Sequence, residues 1–103
     1  MDKIVNLKDI KKGTSFLFTY RGQRAILVRP KKGDPAAYLA VCPHEAGNIE
    51  WDEQIGMLLC ECHGSLFNIS DGSVEKQSTV IEPIQGLTKI SLSIDDHEDI
   101  FAL

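Results

Sequence analysis

Two short boxes that mix cysteine and histidine constrain the fold of this chain more than any other feature. The first is Cys42-Pro43-His44, and fifteen residues later the second opens with Cys60-Glu61-Cys62-His63. Thiolates and neutral imidazoles both bind zinc and iron well. The pattern therefore predicts one metal site, and a fold that brings two loops together around it.

The grouping of the ligands separates the two metals. Zinc accepts two cysteines and two histidines, but zinc fingers usually pair like with like, cysteines in one box and histidines in the next. Here each box offers both kinds of ligand. Such mixed boxes suit a two-iron cluster in which one iron binds two cysteines and the other binds two histidines. We favour the cluster and keep a zinc-binding interaction module as the alternative.

Residues 42–67, with the pattern C-P-H-x15-C-E-C-H-G-S-L-F, resemble the Rieske family. The resemblance implies one Rieske-type [2Fe–2S] cluster as cofactor. It also implies that Cys42 and Cys60 hold the inner iron, while His44 and His63 hold the outer iron near the surface. These four residues are the predicted metal ligands.

The same resemblance assigns roles around the cluster. Ser65 matches a family serine whose hydroxyl donates to a cluster sulfur, and Phe67 stands where high-potential members carry a tyrosine. Gly47 stands where respiratory members carry a cysteine that is disulfide-bonded to the one matching Cys62. We therefore expect no disulfide here, and we interpret Cys62 as a small buried side chain.

Charge is distributed unevenly along the chain. Residues 1–41 hold nine Lys/Arg and three Asp/Glu, a balance of +6, whereas residues 42–103 hold two and twelve, a balance of −10. Glu45 and Glu61 adjoin predicted ligands. Acids around a redox centre favour docking to basic partners near His44 and His63. A nucleic-acid partner is not expected, because acids dominate the metal half and no aromatic–basic stripe is present.

Length and composition are those of one small globular domain of 103 residues. Three cysteines, two of them predicted ligands, argue against a secreted disulfide scaffold. We find no apolar run of signal-peptide or membrane-spanning length, so we expect a cytoplasmic protein with no membrane association.

Short stretches of β-branched and aromatic residues, separated by turn residues, predict an all-β chain. Thr14–Tyr20 and 24–29 are predicted to form a hairpin, and 87–94 a single alternating strand. Trp51 is interpreted as a packing residue, and His97 as a solvated turn residue. The Rieske resemblance implies a single domain, an antiparallel β-sandwich or barrel base formed by residues 1–41 and 82–103. A small cluster-binding subdomain is inserted at 42–81.

The best functional interpretation is a one-electron carrier similar to Rieske-type ferredoxins rather than an enzyme. In that family such carriers pass electrons from an NAD(P)H-linked flavoprotein reductase to a terminal oxygenase. No dinucleotide-binding glycine loop or catalytic triad pattern is present in the sequence. The alternative within electron transfer is a small subunit of a larger enzyme, an oxygenase or a nitrite-reductase-like complex.

Overall fold

The computed structural model describes residues 2–41, 48–60, 64–76 and 86–103. These parts of the chain are built from strands and one short 3-10 turn, Leu7–Asp9, which confirms the predicted all-β class. The eleven strands are β1 Asp2–Asn6, β2 Thr14–Tyr20, β3 Gln23–Arg29, β4 Ala36–Leu39, β5 Ile49–Asp52, β6 Met57–Cys60, β7 Leu66–Asn68, β8 Val74–Lys76, β9 Lys89–Ile90, β10 Leu92–Ile94 and β11 Asp99–Ala102.

The central sheet has the strand order β2-β3-β4-β9, and all neighbours in it are antiparallel. Its strand β3 contains four consecutive buried residues, Ala25 to Val28. Side chains alternate between the two faces of a strand, so a fully buried run must have packing on both faces. Each face of this sheet is indeed covered by a further sheet.

One covering sheet has the order β1-β11-β10. Its Ile100 and Ala102 form a core cluster with Ala25, Leu27 and Ala37 of the central sheet. The other covering sheet has the order β5-β6-β7-β8 and is antiparallel throughout. It packs on the opposite face of the central sheet, so the fold has three layers with two hydrophobic cores.

The second core joins the central sheet to the sheet of β5–β8. Ile26, Val28 and Tyr38 come from the central sheet, and Leu58 and Phe67 come from the covering sheet. All five side chains are almost completely buried. This core fixes the face on which β6 and β7 present their inner residues.

The predicted hairpin of β2 and β3 is confirmed, with Tyr20 opposite Gln23. The two residues between them, Arg21 and Gly22, both have positive φ angles, 49° and 79°. Two successive positive φ angles define the type I′ turn, whose twist matches that of the flanking strands. Trp51 packs against the core as predicted, and its indole N–H donates to the carbonyl oxygen of Gly13 over 3.0 Å.

The prediction of a single strand over 87–94 is wrong. The chain forms β9 on the central sheet and β10 on the outer sheet, with Ser91 between them. Ile94, predicted to share a face with Ile90, is 43% exposed, whereas Ile90 is buried. Alternation in sequence records which side chains face inward, but it does not record that a strand changes sheets. The division into a base and an inserted subdomain stays a prediction.

Candidate metal centre

The pairing of β5 with β6 brings the two predicted ligand loops to the same end of one sheet. Ile49, the first residue of β5, lies opposite Cys60, the last residue of β6. The loop 42–47 ends just before β5, and the segment 61–63 follows β6 directly. The register therefore places Ile49, shortly after the first loop, beside Cys60, the first residue of the second box.

The base of the first loop is closed by an isolated antiparallel bridge between Val41 and Asn48. The second loop is closed by two backbone hydrogen bonds. Cys60 N–H donates to the carbonyl oxygen of Ser65 over 2.9 Å, and Gly64 N–H donates to that of Cys60 over 3.0 Å. Gly64 has a φ angle of 72°, and no atom of the described residues crowds the position that a Cβ would take. Glycine is thus favoured here by backbone conformation rather than by space.

Cys60 is the one predicted ligand that the structure describes, since Cys42, His44 and His63 lie outside the described residues. It is completely buried at the end of β6, in the core that also contains Leu58. A thiolate at this position, buried among apolar side chains, would need a metal or another positive partner. The position suits a cluster ligand, but the ligand set as a whole stays a prediction.

Ser65 provides the most informative contact at this end of the molecule. Its side chain is 1% exposed, and its Oγ has no hydrogen-bond partner among the residues that the structure describes. A buried hydroxyl without a partner costs about 1–3 kcal/mol. A cluster sulfur would accept a hydrogen bond from this hydroxyl, so a donor that has no partner among the described residues fits a bound cluster.

Phe67 forms the apolar wall behind the second box. It is completely buried, lies opposite Leu58 and faces the same core as Cys60. Its ring excludes water from this core and offers no hydrogen-bond donor. The wall lowers the local dielectric constant, so charges at the centre interact more strongly than they would in water.

Tyr38 is a polar residue of this core that sequence reasoning did not single out. Its hydroxyl donates to the carbonyl oxygen of Ile69 over 2.6 Å. Burial, and then the charge of Asp71, raise the pKa of Tyr38 to about 12. The phenol therefore stays protonated at neutral pH and acts as a fixed hydrogen-bond donor. In the sequence, Tyr38 could have been noticed as the one side chain with a polar end within the apolar stretch 36–41.

The remaining predicted features fall mostly outside the described residues. These are the acids Glu45 and Glu61, and the pair Gly47 and Cys62 of the disulfide prediction. Within the described ranges, no group of three or more His, Cys, Asp or Glu could hold a metal ion. His97 lies in the exposed turn before β11, where its backbone carbonyl accepts from the Asn6 amide, as a turn residue would.

The pairing of β5 with β6, the buried Cys60 and a Ser65 hydroxyl without a partner among the described residues fit a bound iron–sulfur cluster. A family model described as the Rieske [2Fe-2S] domain matches residues 2–86 of the chain. The chain therefore belongs to the Rieske family, and its domain is an electron carrier with a Rieske-type [2Fe–2S] cluster. The zinc alternative is set aside.

Comparisons with individual proteins agree with this family. The iron–sulfur subunit of the cytochrome b6-f complex of Chlorobaculum tepidum is 31% identical over 78 residues, which are 70% of this chain and 42% of that protein. The chain thus matches less than half the length of this relative.

Two solved structures share the fold. The plasma membrane Rieske protein of Synechocystis PCC 6803 has a TM-score of 0.82 at 19% identity, with 100% of this chain and 99% of that chain covered. The ferredoxin of carbazole 1,9a-dioxygenase from Nocardioides aromaticivorans IC177 has a TM-score of 0.75 at 16% identity, with 99% and 97% covered. At such low identity these likenesses show the fold alone. Among the described residues there is no helix with the length and apolar character needed to cross a membrane.

Proposed function

We propose that this chain is a Rieske-type ferredoxin, which takes single electrons from an NAD(P)H-linked flavoprotein reductase and delivers them to a terminal oxygenase. In this proposal Cys42 and Cys60 hold one iron, and His44 and His63 hold the other. Because NAD(P)H is produced inside the cell, the role implies a cytoplasmic location. The bound cluster supplies reversible uptake of one electron.

Each described residue around the site has a definite task in this role. Cys60 anchors the cluster to the end of β6, where burial keeps water away from the thiolate. Ser65 donates to the cluster the hydroxyl that has no partner among the described residues. Four protein ligands leave no open position for a substrate, so the domain transfers electrons and does not itself catalyse a reaction.

Phe67 is the observation that carries the choice of a ferredoxin. It fills completely buried space at the position where high-potential relatives have a tyrosine. Without that hydroxyl the reduced cluster loses one stabilising hydrogen bond, which lowers the reduction potential. A lower potential suits a carrier that stands between a flavoprotein and an oxygenase.

The acidic balance of the metal half supports docking to basic partners near His44 and His63. Residues 42–83 hold eight acids and one base, a balance of −7. Complementary charge steers association and sets its rate more than its affinity. Gly47 offers no thiol to Cys62, so the proposed carrier contains no disulfide between these positions.

A second candidate is an electron-transfer subunit of a larger complex. One observation favours it, the 31% identity to a subunit of a cytochrome b6-f complex. That role predicts a higher potential and a stable assembly with other subunits. The ferredoxin role predicts a chain that purifies alone and exchanges electrons transiently.

The ligand assignment is tested by substitution, with absorption and electron paramagnetic resonance spectra as the readout. Alanine at Cys42, His44, Cys60 or His63 is expected to abolish the Rieske spectrum. Cys62→Ala and His97→Ala serve as matched controls, since each removes the same kind of side chain at a position outside the proposed set. A normal spectrum in His63→Ala together with loss of iron in Cys62→Ala would contradict the assignment.

The electron-transfer role is tested with a flavoprotein reductase, NAD(P)H and a Rieske oxygenase in stopped-flow measurements. Reduction of the carrier should slow as salt rises, because steering charges are screened over about 8 Å at physiological ionic strength. Glu45→Lys and Glu61→Lys should slow it further, whereas Asp95→Lys and Asp96→Lys, in the turn before β11, should not. A rate indifferent to salt and to all four substitutions would refute the docking surface.

A further inference from the structure

The edge strand β5 stands beside a groove that the fold leaves open. β5 is the outermost strand of its sheet, and β2 is the outermost strand of the central sheet beneath it. Ile49 of β5 and Ile26 of β3 belong to the same core cluster, so the sheet of β5–β8 begins above β3. β2 therefore extends beyond the edge of the sheet of β5–β8, with no strand above it among the residues that the structure describes.

The floor of this groove is one face of β2. Every second residue of β2 lies on the face that points towards the sheet of β5–β8, namely Ser15, Leu17 and Thr19. This face is identified by Leu17, which lies opposite Ile26 of the buried core. All three are exposed, and Leu17 is 60% exposed. An exposed leucine on a sheet face next to an uncovered edge is the kind of surface that an additional strand covers.

Two hollows of about 250 and 240 Å³ occupy the space between β2 and β5. Leu17, Ile49 and Glu50 line both hollows, so the two form one groove along β5. The groove ends at Arg24 on one side and at Trp51 on the other. The indole of Trp51 is held there by its hydrogen bond to the Gly13 carbonyl.

Backbone groups of β5 point into this groove. The N–H of Cys60 donates to Ser65, and the N–H of Gly64 donates to the Cys60 carbonyl, so both Cys60 groups face β7. The pair of Cys60 and Ile49 is consequently a non-hydrogen-bonded one. Hydrogen-bonded and non-hydrogen-bonded pairs alternate along an antiparallel ladder, so the backbone groups of Ile49 and Trp51 face away from β6. The bridge between Val41 and Asn48 closes this edge at the N-terminal end of β5.

From this arrangement we propose that β5 is a docking edge for an extended segment of a partner protein, which adds a fifth strand to the sheet of β5–β8 and covers Leu17. Main-chain hydrogen bonds to Trp51, beyond the bridge that closes the edge at the N-terminal end of β5, supply affinity, as in other cases of strand addition. The proposed docking edge is independent of which reductase or oxygenase exchanges electrons with the cluster.

The side chains define the chemistry of the occupant. Ile49 and Trp51 face the core, whereas the alternate residues Glu50 and Asp52 face outward. On the added strand, inward residues contact Leu17 and must be apolar, and outward residues lie beside two carboxylates. The partner segment therefore alternates apolar residues with lysine or arginine. A second copy of β5 is disfavoured, because its own Glu50 and Asp52 would face these acids.

The test uses the cluster-loaded full chain and a capped peptide of alternating valine and lysine, about six residues long to match one strand. Calorimetry should detect one saturable site for this peptide and none for a valine–glutamate peptide. Leu17→Lys should weaken binding by about tenfold or more, since it removes an apolar contact and adds a like charge. Ile55→Lys is the matched control, because Ile55 is 49% exposed in the turn after β5 and outside the groove. Equal weakening by both substitutions, or no binding to the wild type, would overturn the proposal.

Hydrogen exchange separates strand addition from loose electrostatic attachment. The bound peptide should slow exchange of the Trp51 amide. A peptide N-methylated on the amides that face β5 should not bind, whereas methylation of the alternate amides should be tolerated. Binding with unchanged exchange at Trp51 refutes strand addition. A concentration-dependent dimer of the chain alone that Leu17→Lys dissolves would assign the groove to a second copy, against the proposal.

Discussion

Tyr38 on the central sheet donates a hydrogen bond to the carbonyl oxygen of Ile69, in the loop between β7 and β8, over 2.6 Å. This bond joins the central sheet to the sheet of β5–β8, in which strand β6 ends at Cys60. It lies within the core shared by the two sheets, where the Tyr38 side chain is completely buried. The relationship makes Tyr38 a structural link between the central sheet and the sheet that carries the candidate metal centre.

Tyr38→Phe should lower the free energy of unfolding by about 0.5–1.5 kcal/mol, because it removes one hydrogen bond and keeps the ring. For a domain of this size that corresponds to a fall of several degrees in the thermal midpoint, roughly 4–8 °C per kcal/mol. Tyr20→Phe is the matched control, since the Tyr20 hydroxyl donates to the Leu103 carbonyl at the exposed surface. Equal midpoints for the two variants would contradict the assigned role of Tyr38.

The same residue predicts how stability changes at high pH. Burial raises the pKa of Tyr38 from 10.0 to about 12 in the folded chain. Between these values the unfolded chain loses the phenolic proton and the folded chain retains it, so stability falls as pH rises. The loss attributable to Tyr38 approaches about 2–3 kcal/mol, from about 1.4 kcal/mol for each pH unit. Over this interval the thermal midpoints of the wild type and Tyr38→Phe should converge and then cross, because the loss exceeds the value of the hydrogen bond, and a constant difference would show that the shift is absent.

Asp99 predicts a change in stability on the acid side. The Asn6 amide donates to its carboxylate over 2.9 Å, and the Lys3 ammonium lies 3.1 Å away. Both hold the pKa of Asp99 below its usual value, with the hydrogen bond from Asn6 as the larger cause. This contribution to stability is present above the ordinary aspartate pKa and is lost as pH falls through the lowered one.

Asp99→Asn should therefore be less stable than the wild type at neutral pH, and the difference should shrink as the solution is acidified. The substitution Asp96→Asn, three residues before the start of β11 in the exposed turn, is the control and should change the midpoint little. Thermal unfolding across the acid range measures both. A deficit in Asp99→Asn that is independent of pH would mean that charge plays no part.

Sequence patterns recovered those parts of the fold that depend on local chemistry. The turn Arg21-Gly22-Gln23 between two strand-like runs predicted the β2–β3 hairpin, and Gly22 suits the positive φ angle that such a turn requires. The three-layer arrangement was beyond reach. An apolar run such as Ala25 to Val28 shows burial on both faces only once the covering sheets are known, and Ser91 carries no sign that the chain changes sheets there.

The candidate site, like the fold, was predicted from the sequence only where local chemistry determines it. Mixed cysteine and histidine boxes predicted the cluster because ligand chemistry is local, and the family match supports the cofactor. Tyr38 and Leu17 were missed, since their importance depends on which residues other strands place beside them. Cys42, His44 and His63 lie outside the described residues, so their roles remain predictions.

The reduction potential tests the surroundings of the cluster through Ser65. Reduction adds one negative charge, which a donor to a cluster sulfur stabilises, so Ser65→Ala should lower the potential. The buried hydroxyl is orphaned among the described residues, so no protein hydrogen bond described here is lost with it. Protein-film voltammetry measures the change, and Ser73→Ala, in the exposed loop before β8, is the control that should leave it unaltered. An unchanged potential in Ser65→Ala would mean that its hydroxyl does not reach the cluster.

Phe67 should show the opposite effect. Rieske potentials span about −150 to +300 mV, and we expect the wild type in the lower half, because Ser65 donates while Phe67 cannot and Glu45 and Glu61 add negative charge. Phe67→Tyr should raise the potential if the new hydroxyl reaches the thiolate of the proposed ligand Cys42. One charge-assisted hydrogen bond is worth at most about 1.5–3 kcal/mol, and the oxidised state shares part of it, so the rise should be roughly tens of millivolts. Phe18→Tyr, on β2 and packed in the other core, adds the same hydroxyl away from the site and should leave the potential unchanged. A wild-type potential near the top of the range, or a fall in Phe67→Tyr, would contradict this account of the cluster environment.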